Sequence, residues 1–419
     1  MVMKQATFKG YANSFQAIAR LGLANIGALL SHLDNPQDRL RFVHIAGTNG
    51  KGSVATFLSC MLTKAGYKTG SYISPNMLRV NERISIDGKA ITDDAMKRLF
   101  TRVEAACVRA EADTGVYPTQ FEIWTAMAFC YFAEQECDYV VLETGLGGRR
   151  DATNIVSTTE LAVITHIALD HMQYLGNTIE QIAAEKAGII KPGTRVVSAR
   201  QEDGAAEVLR AACARQNSTL TFSEPVLPGE YDGIYEILGS GSFAGVKLSL
   251  GGVNQLDNAA CAIAAARALD LDDGAIRYGL THAVNPGRFE QVGERTYFDG
   301  AHNPDGVAAL VRNLNRYFPG REKAYIMATM CDKDIRASLR LLDDGAAEFY
   351  MVAVEENERS MPADELARLA REEGLAAKAY PSMREAYAAA QESGWLIIIC
   401  GSLYLYKDFI DMHEAKKNE

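Results

Sequence analysis

Short apolar runs rich in β-branched residues alternate with amphipathic helical stretches along most of the chain. This alternation is typical of βαβ units built around a largely parallel sheet. In the first series, the predicted strands are 41–47, 69–73, 139–143, 161–166 and 195–198. The predicted helices are 53–65, 93–112, 119–135, 179–188 and 254–269.

A second series follows the Asn-Pro-Gly-Arg segment at 285–288, with predicted strands 296–298, 324–328, 348–354 and 395–400 and helices between them. A Pro and a Gly followed by polar residues are typical of a short connection between domains. We therefore predict an α/β protein of two domains. Residues 1–289 would form a mostly parallel, P-loop-type sheet with helices on both faces, and residues 290–419 a smaller Rossmann-like domain. The β-rich, Gly-punctuated stretch 222–250 is predicted to be a small antiparallel addition to the first domain.

The composition of the 419 residues, 48% hydrophobic and 23% charged, is that of an ordinary globular protein. A formal net charge of −10 without any basic block argues against nucleic-acid binding. The eight cysteines lack metal-ligand spacing, so we expect reduced core residues. The N-terminal segment 1–15 lacks a secretory signal, and no apolar run approaches the length of a membrane span. We expect a cytoplasmic monomer with no membrane partner.

The segment HIAGTNGKGS, residues 44–53, stands where a predicted strand turns into a helix. A phosphate site needs glycines whose backbone N–H groups point inward, a Lys for the phosphate charge and a hydroxyl for Mg²⁺. The residues that meet these needs are Gly47, Thr48, Asn49, Gly50, Lys51, Gly52 and Ser53. In the generic G-x-x-x-x-G-K-[ST] pattern a Gly would replace Ile45, and no Gly52 would separate Lys51 from Ser53. A plain Gly-rich turn is the alternative, but such a turn does not need a Lys, so we favour phosphate binding.

This loop resembles the nucleotide loop of the Mur ligase superfamily, and its Gly-Lys-Gly-Ser form is similar to that of the folylpolyglutamate synthase and dihydrofolate synthase family. Further resembling segments follow in the family's order: SPNMLRVNERISIDG (74–88), LETGLGGRRDATN (142–154), ITHIALDHMQYLG (164–176), EKAGIIKPG (185–193), GRFE (287–290), DGAHNPDG (299–306) and GSLYLY (401–406). One position departs from the family, because Asn76 stands where His is common. The resemblance implies a ligase in which ATP activates a folate or dihydropteroate carboxylate and the amine of L-glutamate attacks the acyl phosphate.

Two polar residues follow apolar strands, and ligands of open α/β sheets bind beyond the carboxyl ends of the strands. At Glu143 we favour Mg²⁺ over a solvated strand-end carboxylate. His171, by sequence alone, is as readily structural as a metal ligand. The resemblance implies that Ser74, Glu143 and His171 surround a second Mg²⁺, whereas the chemistry of the phosphate loop assigns the hydroxyl of Ser53 to Mg²⁺.

The roles of the remaining candidates also depend on the resemblance. Lys186 is either a helix-end cation that complements the helix dipole or, as the resemblance implies, a carbamylated lysine that assists Mg²⁺ binding. An Asp at a strand end suits ribose hydroxyls, although Asx-Pro turns are common in loops. The nucleotide contacts implied by the resemblance are Asp299 to the ribose, His302 to the phosphates, Arg288 to the γ-phosphate and Asn258 to the adenine.

Four residues lie in segments that resemble the family's pterin site: Phe121, Arg149, Asp151 and Ala152. Phe121 is equally well explained as a core aromatic. Two other functions stay open, a Mur-type ligase acting on a cell-wall precursor and a P-loop kinase or NTP-driven switch. The Gly52-Ser53 form and the GLGGRRDATN segment favour folate. The sequence leaves open whether polyglutamylation, the dihydropteroate reaction or both take place.

Overall fold

The structure, a computed structural model, describes residues 21–343, 345 and 347–417. One compact unit comprises the residues up to Val226 together with Asp257–Ala283, and the other comprises Leu227–Leu256 and the residues from Val284 onward. The segment 1–15, for which the sequence predicts no secretory signal, lies outside the described residues. None of the described helices has both the length and the apolar character needed to span a bilayer.

The first unit is built on an eight-stranded sheet in the order β4-β3-β2-β5-β1-β6-β7-β8. Its strands are β1 (Phe42–Ala46), β2 (Thr69–Tyr72), β3 (Ile84–Ile86), β4 (Lys89–Ala90), β5 (Tyr139–Glu143), β6 (Thr159–Ile164), β7 (Arg195–Ser198) and β8 (Thr219–Phe222). Pairing is parallel from β2 to β8, whereas β3 and β4 are antiparallel. The described α-helices from this part of the chain are α1 (Ala24–Ser31), α2 (Lys51–Lys64), α3 (Asp93–Thr114), α4 (Gln120–Glu134), α5 (Met172–Leu175), α6 (Ile179–Lys186), α7 (Asp203–Arg215), α8 (Gln255–Ala268) and α9 (Asp273–His282).

The central strands of this sheet are buried on both faces. Every residue of β1 and β5 is buried, as expected from their mostly apolar sequences FVHIA and YVVLE. One hydrophobic cluster joins Phe42 and Leu142 to Trp124 of α4, and another joins Ala46 to Ile182 of α6. Because successive side chains of a strand point to opposite faces, the burial of every residue of β1 and β5 shows that both faces are covered, and the predicted layered α/β arrangement is confirmed.

The second unit contains a six-stranded sheet in the order β11-β12-β16-β13-β14-β15 and the hairpin β9–β10. Its strands are β9 (Pro228–Asp232), β10 (Tyr235–Leu238), β11 (Glu290–Gly293), β12 (Thr296–Phe298), β13 (Lys323–Met327), β14 (Ala347–Met351), β15 (Ala377–Ala379) and β16 (Leu396–Cys400). Only the β11–β12 pair of the larger sheet, within the described residues, is antiparallel. The helices are α10 (Pro304–Tyr317), α11 (Ile335–Leu342), α12 (Ala363–Glu372), α13 (Met383–Glu392) and α14 (Leu405–Lys417).

The hairpin segment differs from its predicted placement in the first domain. Residues 227–256 group with the second unit, which resumes at Val284, whereas the predicted domain begins at residue 290. The carboxylate of the buried Glu236 accepts hydrogen bonds from Arg316 Nη2 at 2.7 Å and from the Tyr317 hydroxyl at 2.6 Å. The side chain of Asn313 also accepts a bond from the Val253 N–H at 2.8 Å. These contacts join residues far apart in the chain, so the local sequence pattern does not reveal them.

Candidate active site

The predicted phosphate loop connects β1 to α2 at the carboxyl edge of the first sheet. Gly50 caps the helix with a left-handed φ of 88°, and a Cβ there would overlap the side chain of Asn258. A Cβ at Gly47 would overlap the Thr165 hydroxyl, which donates to the Asn49 carbonyl at 2.8 Å. Both glycines are therefore required by close packing, and Gly50 brings the predicted adenine residue Asn258 to the loop.

The backbone N–H groups of this loop fall into two sets, one that bonds to the neighbouring segment and one at the N-terminus of α2. The N–H groups of Thr48 and Asn49 donate to the His166 carbonyl at 2.8 and 3.3 Å. These two bonds tie the loop to the segment after β6. The N–H groups of the first turn of α2, from Lys51 to Ser53, have no i−4 carbonyl within the helix and form a donor set suited to phosphate.

Two lysines converge on one carbonyl of the loop. Lys51 Nζ donates to Gly47 O at 3.1 Å and to Thr48 O at 3.0 Å, and Lys186 Nζ donates to Gly47 O at 2.7 Å. Only 3% of Lys186 is exposed. Burial, aided by the neighbouring charge of Lys51, lowers the pKa of Lys186 to about 7. Lys186 is therefore part of the phosphate loop's surroundings and is not a solvated helix-end cation.

Glu143 ends β5 with 4% of its surface exposed, and its Oε2 accepts the Ser74 N–H at 3.1 Å. The two residues meet because β2 and β5 are adjacent and parallel, so both strands end at the same edge. His171 has a left-handed φ of 50° at the start of α5, and its N–H donates to Asp170 Oδ1 at 2.8 Å.

The donor chemistry of these residues fits magnesium better than a softer metal. Within the described residues, no three His, Cys, Asp or Glu side chains cluster closely enough to hold an ion by themselves. Mg²⁺ is typically bound by one or two carboxylates, with waters and substrate phosphates completing its octahedron. The buried carboxylate of Glu143, which lies beside the backbone of Ser74, supplies a ligand of that kind.

The predicted pterin residues occupy two different environments. The Phe121 ring lies against Gly145, just beyond β5, where a Cβ would overlap it, and its centroid lies 6.0 Å from that of Tyr72. Arg149 is exposed and its guanidinium donates to the Ala184 carbonyl at 3.1 Å. Ala152 is buried and begins the short 3₁₀ helix Ala152–Ile155.

Asp151 is buried and turned inward. Its Oδ1 accepts from the Thr153 N–H at 3.0 Å and from the Thr153 hydroxyl at 2.6 Å, and its Oδ2 accepts from the Leu146 N–H at 2.7 Å. Burial raises the pKa of Asp151, and these hydrogen bonds oppose the rise. The carboxylate thus shapes the 145–154 loop from within.

The second unit carries the other predicted nucleotide residues at the end of β12. Asp299 Oδ1 accepts the Ala301 N–H at 2.8 Å, and His302 Nδ1 donates to the Gly300 carbonyl at 2.8 Å. Burial raises the pKa of Asp299 to about 6, while the nearby charge of Arg288 opposes the rise. The turn therefore holds a carboxylate and an imidazole, and the guanidinium of Arg288 lies close to it.

Two family models match the chain, the Mur ligase middle domain over residues 45–266 and the Mur ligase glutamate ligase domain over residues 287–403. The dihydrofolate synthase/folylpolyglutamate synthase of Bacillus subtilis (strain 168) is 37% identical over 360 residues, which cover 82% of this chain and 83% of that protein. The folylpolyglutamate synthase of Lacticaseibacillus casei is 36% identical over 417 residues, covering 94% of this chain and 95% of its own. The chain belongs to the folylpolyglutamate synthase family of Mur ligases.

Solved structures of this family share the fold over nearly the whole chain. Mycobacterium tuberculosis folylpolyglutamate synthase complexed with ADP and AMPPCP has a TM-score of 0.87 at 31% identity, covering 92% of this chain and 94% of its own. Escherichia coli FolC in complex with DHPP and ADP has a TM-score of 0.84 at 29% identity, covering 97% of both chains. The predicted family and two-domain α/β fold are confirmed.

Sequence reasoning missed several residues that hold this folylpolyglutamate synthase-type site together. His44 Nε2 lies 2.9 Å from the Thr153 hydroxyl. Gln201 accepts from the Ile167 N–H at 3.1 Å and donates to the Thr165 carbonyl at 2.9 Å. His44 lies inside the phosphate-loop motif, and Thr153 lies inside the segment that resembles the pterin site. The signal that could have identified His44 is that it is a polar residue within an otherwise apolar strand.

Proposed function

We propose that this protein is an ATP-dependent ligase that joins L-glutamate to the carboxylate of a folate, of dihydropteroate, or of both, through an acyl phosphate. The observation that carries the proposal is the convergence of Lys51 and Lys186 on the Gly47 carbonyl, beside the N-terminus of α2. Such an arrangement suits a transferring phosphoryl group, which needs positive charge and directed N–H donors.

In the proposed reaction, the acceptor carboxylate attacks the γ-phosphate of ATP, ADP leaves, and the glutamate amine then displaces phosphate to form the amide. Lys51 and the first-turn N–H groups of α2 bind the phosphates and stabilise their developing charge. The residues proposed to hold magnesium are Ser53, Ser74, Glu143 and His171. When bound, Mg²⁺ supplies a Lewis acid that neutralises phosphate oxygens.

Lys186 is proposed to react with CO₂ and to carry a carbamate. Carbamate formation requires a neutral amine, and the lowered pKa of Lys186, about 7, supplies that form near neutral pH. The resulting carboxylate would add a negative oxygen ligand close to Gly47. This change would convert a group that repels a divalent cation into one that attracts it.

The remaining site residues are proposed to fix the substrates. Asn258 is assigned to the adenine, Asp299 to the ribose, His302 to the phosphates and Arg288 to the γ-phosphate. Phe121, Arg149, Asp151 and Ala152 are assigned to the pterin pocket, with Phe121 as an aromatic wall and Asp151 acting through the loop that it shapes.

We also propose that the protein works as a monomer in the cytoplasm, without membrane or nucleic-acid partners. All eight cysteines are unbridged, and seven of them are buried or half-buried. Unbridged cysteines are typical of a reducing compartment.

The decisive experiment supplies the protein with ATP, Mg²⁺ and labelled L-glutamate, and offers dihydropteroate or a reduced folate in separate reactions. We expect glutamylated product, identified by mass, and phosphate release that depends on both glutamate and the acceptor. Phosphate release that ignores both would indicate an NTP-driven switch. A further reaction offers a cell-wall precursor as the acceptor, and amide formation only in that reaction would indicate the other class of Mur ligase.

A further inference from the structure

Arg83 is a half-buried arginine that ends the 3₁₀ turn Val80–Arg83 just before β3, near the predicted pterin residues. Its Nε donates to Asn76 Oδ1 at 2.8 Å. No described residue hydrogen-bonds to its Nη1 and Nη2 groups. Because Asn76 uses the Nε position, the edge formed by the two Nη groups is the part of the guanidinium left to bind a ligand.

The other cations near these segments are already engaged. Arg79, on the same loop, pairs with Asp93 at 2.9 Å. Arg149 and Arg150 lie 3.7 and 3.4 Å from the carboxylate of Glu185. Lys51 and Lys186 bond to carbonyls of the phosphate loop, as described above. Among the described arginines of this group, Arg83 is therefore the one that has no ion pair with a carboxylate, and the two lysines are directed at the phosphate loop instead.

The surroundings of Arg83 connect the pterin wall to the proposed reaction centre. Its carbonyl accepts the Ile73 N–H at 3.1 Å, and the next residue, Ser74, donates to Glu143. The charge of Arg83 opposes the burial-driven rise in the pKa of Tyr72, so its guanidinium lies near that phenol. The Tyr72 ring in turn neighbours Phe121. Arg83 thus lies beside both the aromatic wall and the strand end that carries Glu143.

We infer that Arg83 binds the non-reacting α-carboxylate of a glutamylated folate and thereby determines how well this protein accepts folates relative to dihydropteroate. The inference rests on the proposed function. A folate's glutamate has two carboxylates, of which one reacts, whereas dihydropteroate has only the reacting carboxylate. The second carboxylate of a folate must lie near Glu143, which repels it unless a cation intervenes. The planar guanidinium edge matches a carboxylate in bidentate geometry.

Asn76 is the positioning residue for this contact. Its amide oxygen accepts from Nε without adding charge, so it fixes the guanidinium plane and leaves the full positive charge for the substrate. This is the position where the family commonly has His. Asn76 thus has a physical role in this protein, namely to orient the Arg83 guanidinium without adding charge.

The test is a double-mutant cycle between Arg83 and the α-carboxylate. Wild type and Arg83→Met are compared with dihydrofolate, with the analogue in which 4-aminobutyrate replaces glutamate, and with dihydropteroate. Equilibrium binding and kcat/KM are measured for each. We expect Arg83→Met to lower the affinity and the kcat/KM for dihydrofolate by about 30-fold, and those for the other two ligands by less than about threefold. Arg83→Lys, which keeps the charge but not the fork, should recover part of the loss.

Arg79→Met is the matched control on the same loop, and it should leave the affinity and the kcat/KM for all three ligands unchanged. Asn76→Ala should produce a smaller loss that is also confined to dihydrofolate. An equal loss for all three ligands, or no loss, would overturn the inference. If Arg83→Met does not fold, wild type alone decides, because equal affinity for dihydrofolate and the aminobutyrate analogue contradicts the role of Arg83. The proposed function fails separately, if wild type makes no amide with any acceptor.

Discussion

The amine of Lys186 lies 2.7 Å from the carbonyl oxygen of Gly47, so a buried lysine is hydrogen-bonded to the first residue of the phosphate loop. Lys51 donates to the same carbonyl. Burial, aided by the charge of Lys51 beside it, disfavours the charged form of Lys186 and lowers its pKa to about 7. The loop is thus coupled to a lysine that exchanges its proton near neutral pH.

Carbamylation of Lys186 is the first prediction. As pH rises through about 7, the neutral fraction of Lys186 rises, so carbamate at constant dissolved CO₂ should increase over that range. Carbon-13 NMR with labelled CO₂ should show a carbamate signal that is absent from Lys186→Met. Ligation by Lys186→Ala should recover partly with formate or acetate. An unchanged spectrum in Lys186→Met, together with no recovery, would leave Lys186 as an unmodified structural lysine.

Lys51→Ala should abolish ligation while the fold persists. The lost charge acts on the transferring phosphoryl group, so kcat/KM should fall by at least about 100-fold. Lys64→Ala is the matched control, since Lys64 ends the same helix and lies 4.7 Å from the Tyr278 ring. Its activity should stay near wild type. Ligation by Lys51→Ala within about tenfold of wild type, ~1.4 kcal/mol, would show that this loop is not the ATP site.

Buried hydrogen bonds form a chain that joins His44 to Thr153 and Thr153 to Asp151, and together they determine which atom donates in each bond. The Thr153 hydroxyl has a single proton, which it donates to the Asp151 carboxylate at 2.6 Å. It therefore accepts from His44 Nε2, which must carry a proton. Burial, with the charge of Lys191, lowers the pKa of His44 to about 3, so the ring is neutral and its Nδ1 is unprotonated. Nδ1 has no hydrogen-bond partner among the described residues.

Thr153→Val removes the middle member of this chain. We expect a loss of about 1–3 kcal/mol in the free energy of unfolding, because His44 and Asp151 each lose a buried partner. The KM for the pterin substrate should rise, since Asp151 no longer holds its loop in place. Urea unfolding and steady-state kinetics measure the two effects. The exposed Thr101→Val is a control that should change neither, and wild-type values in Thr153→Val would contradict the proposed role.

The sequence predicts the central strands well because a strand that is buried on both faces is a run of mostly apolar residues. β1 and β5 consist almost entirely of apolar residues, and the predicted strands coincide with them to within two residues. The last two strands at one side of the sheet, β3 and β4, have three and two residues, too few to show an alternating pattern, and were not predicted. The glycines and Lys51 identified the phosphate loop from chemistry alone. By contrast, the bond between Lys186 and Gly47 joins residues 139 positions apart, and such pairing is set by the fold.

The placement of residues 227–256 gives another prediction. Glu236 is fully buried, and its carboxylate is neutralised by Arg316 and hydrogen-bonded by Tyr317. Glu236→Ala leaves the guanidinium without its partner, so the second unit should lose about 3–5 kcal/mol of stability. Asp232→Ala breaks the exposed pair with Lys247 on the same hairpin and should cost less than about 1 kcal/mol. Equal denaturation midpoints for the two variants would contradict the anchoring role of Glu236.

The pH dependence of ATP binding tests Asp299. Burial raises the pKa of this carboxyl to about 6, so it is charged above that pH and protonated below it. A carboxylate accepts hydroxyl hydrogen bonds more strongly than a carboxylic acid does. If Asp299 binds the ribose, the KM for ATP should therefore rise as pH falls through about 6. The unfolding midpoint, measured over the same pH range without nucleotide, shows whether the protein itself loses stability there.

Two variants separate Asp299 from the other acidic groups that titrate near this pH. Asp299→Asn should have an ATP KM that is about tenfold higher than wild type at neutral pH and that no longer changes near pH 6. Asp408, whose pKa is also raised to about 6 by burial, accepts the Glu355 N–H instead and has no assigned nucleotide contact. Asp408→Asn should therefore keep the wild-type pH profile. A profile that flattens in Asp408→Asn but survives in Asp299→Asn would assign the titration to Asp408 and remove Asp299 from the ribose site.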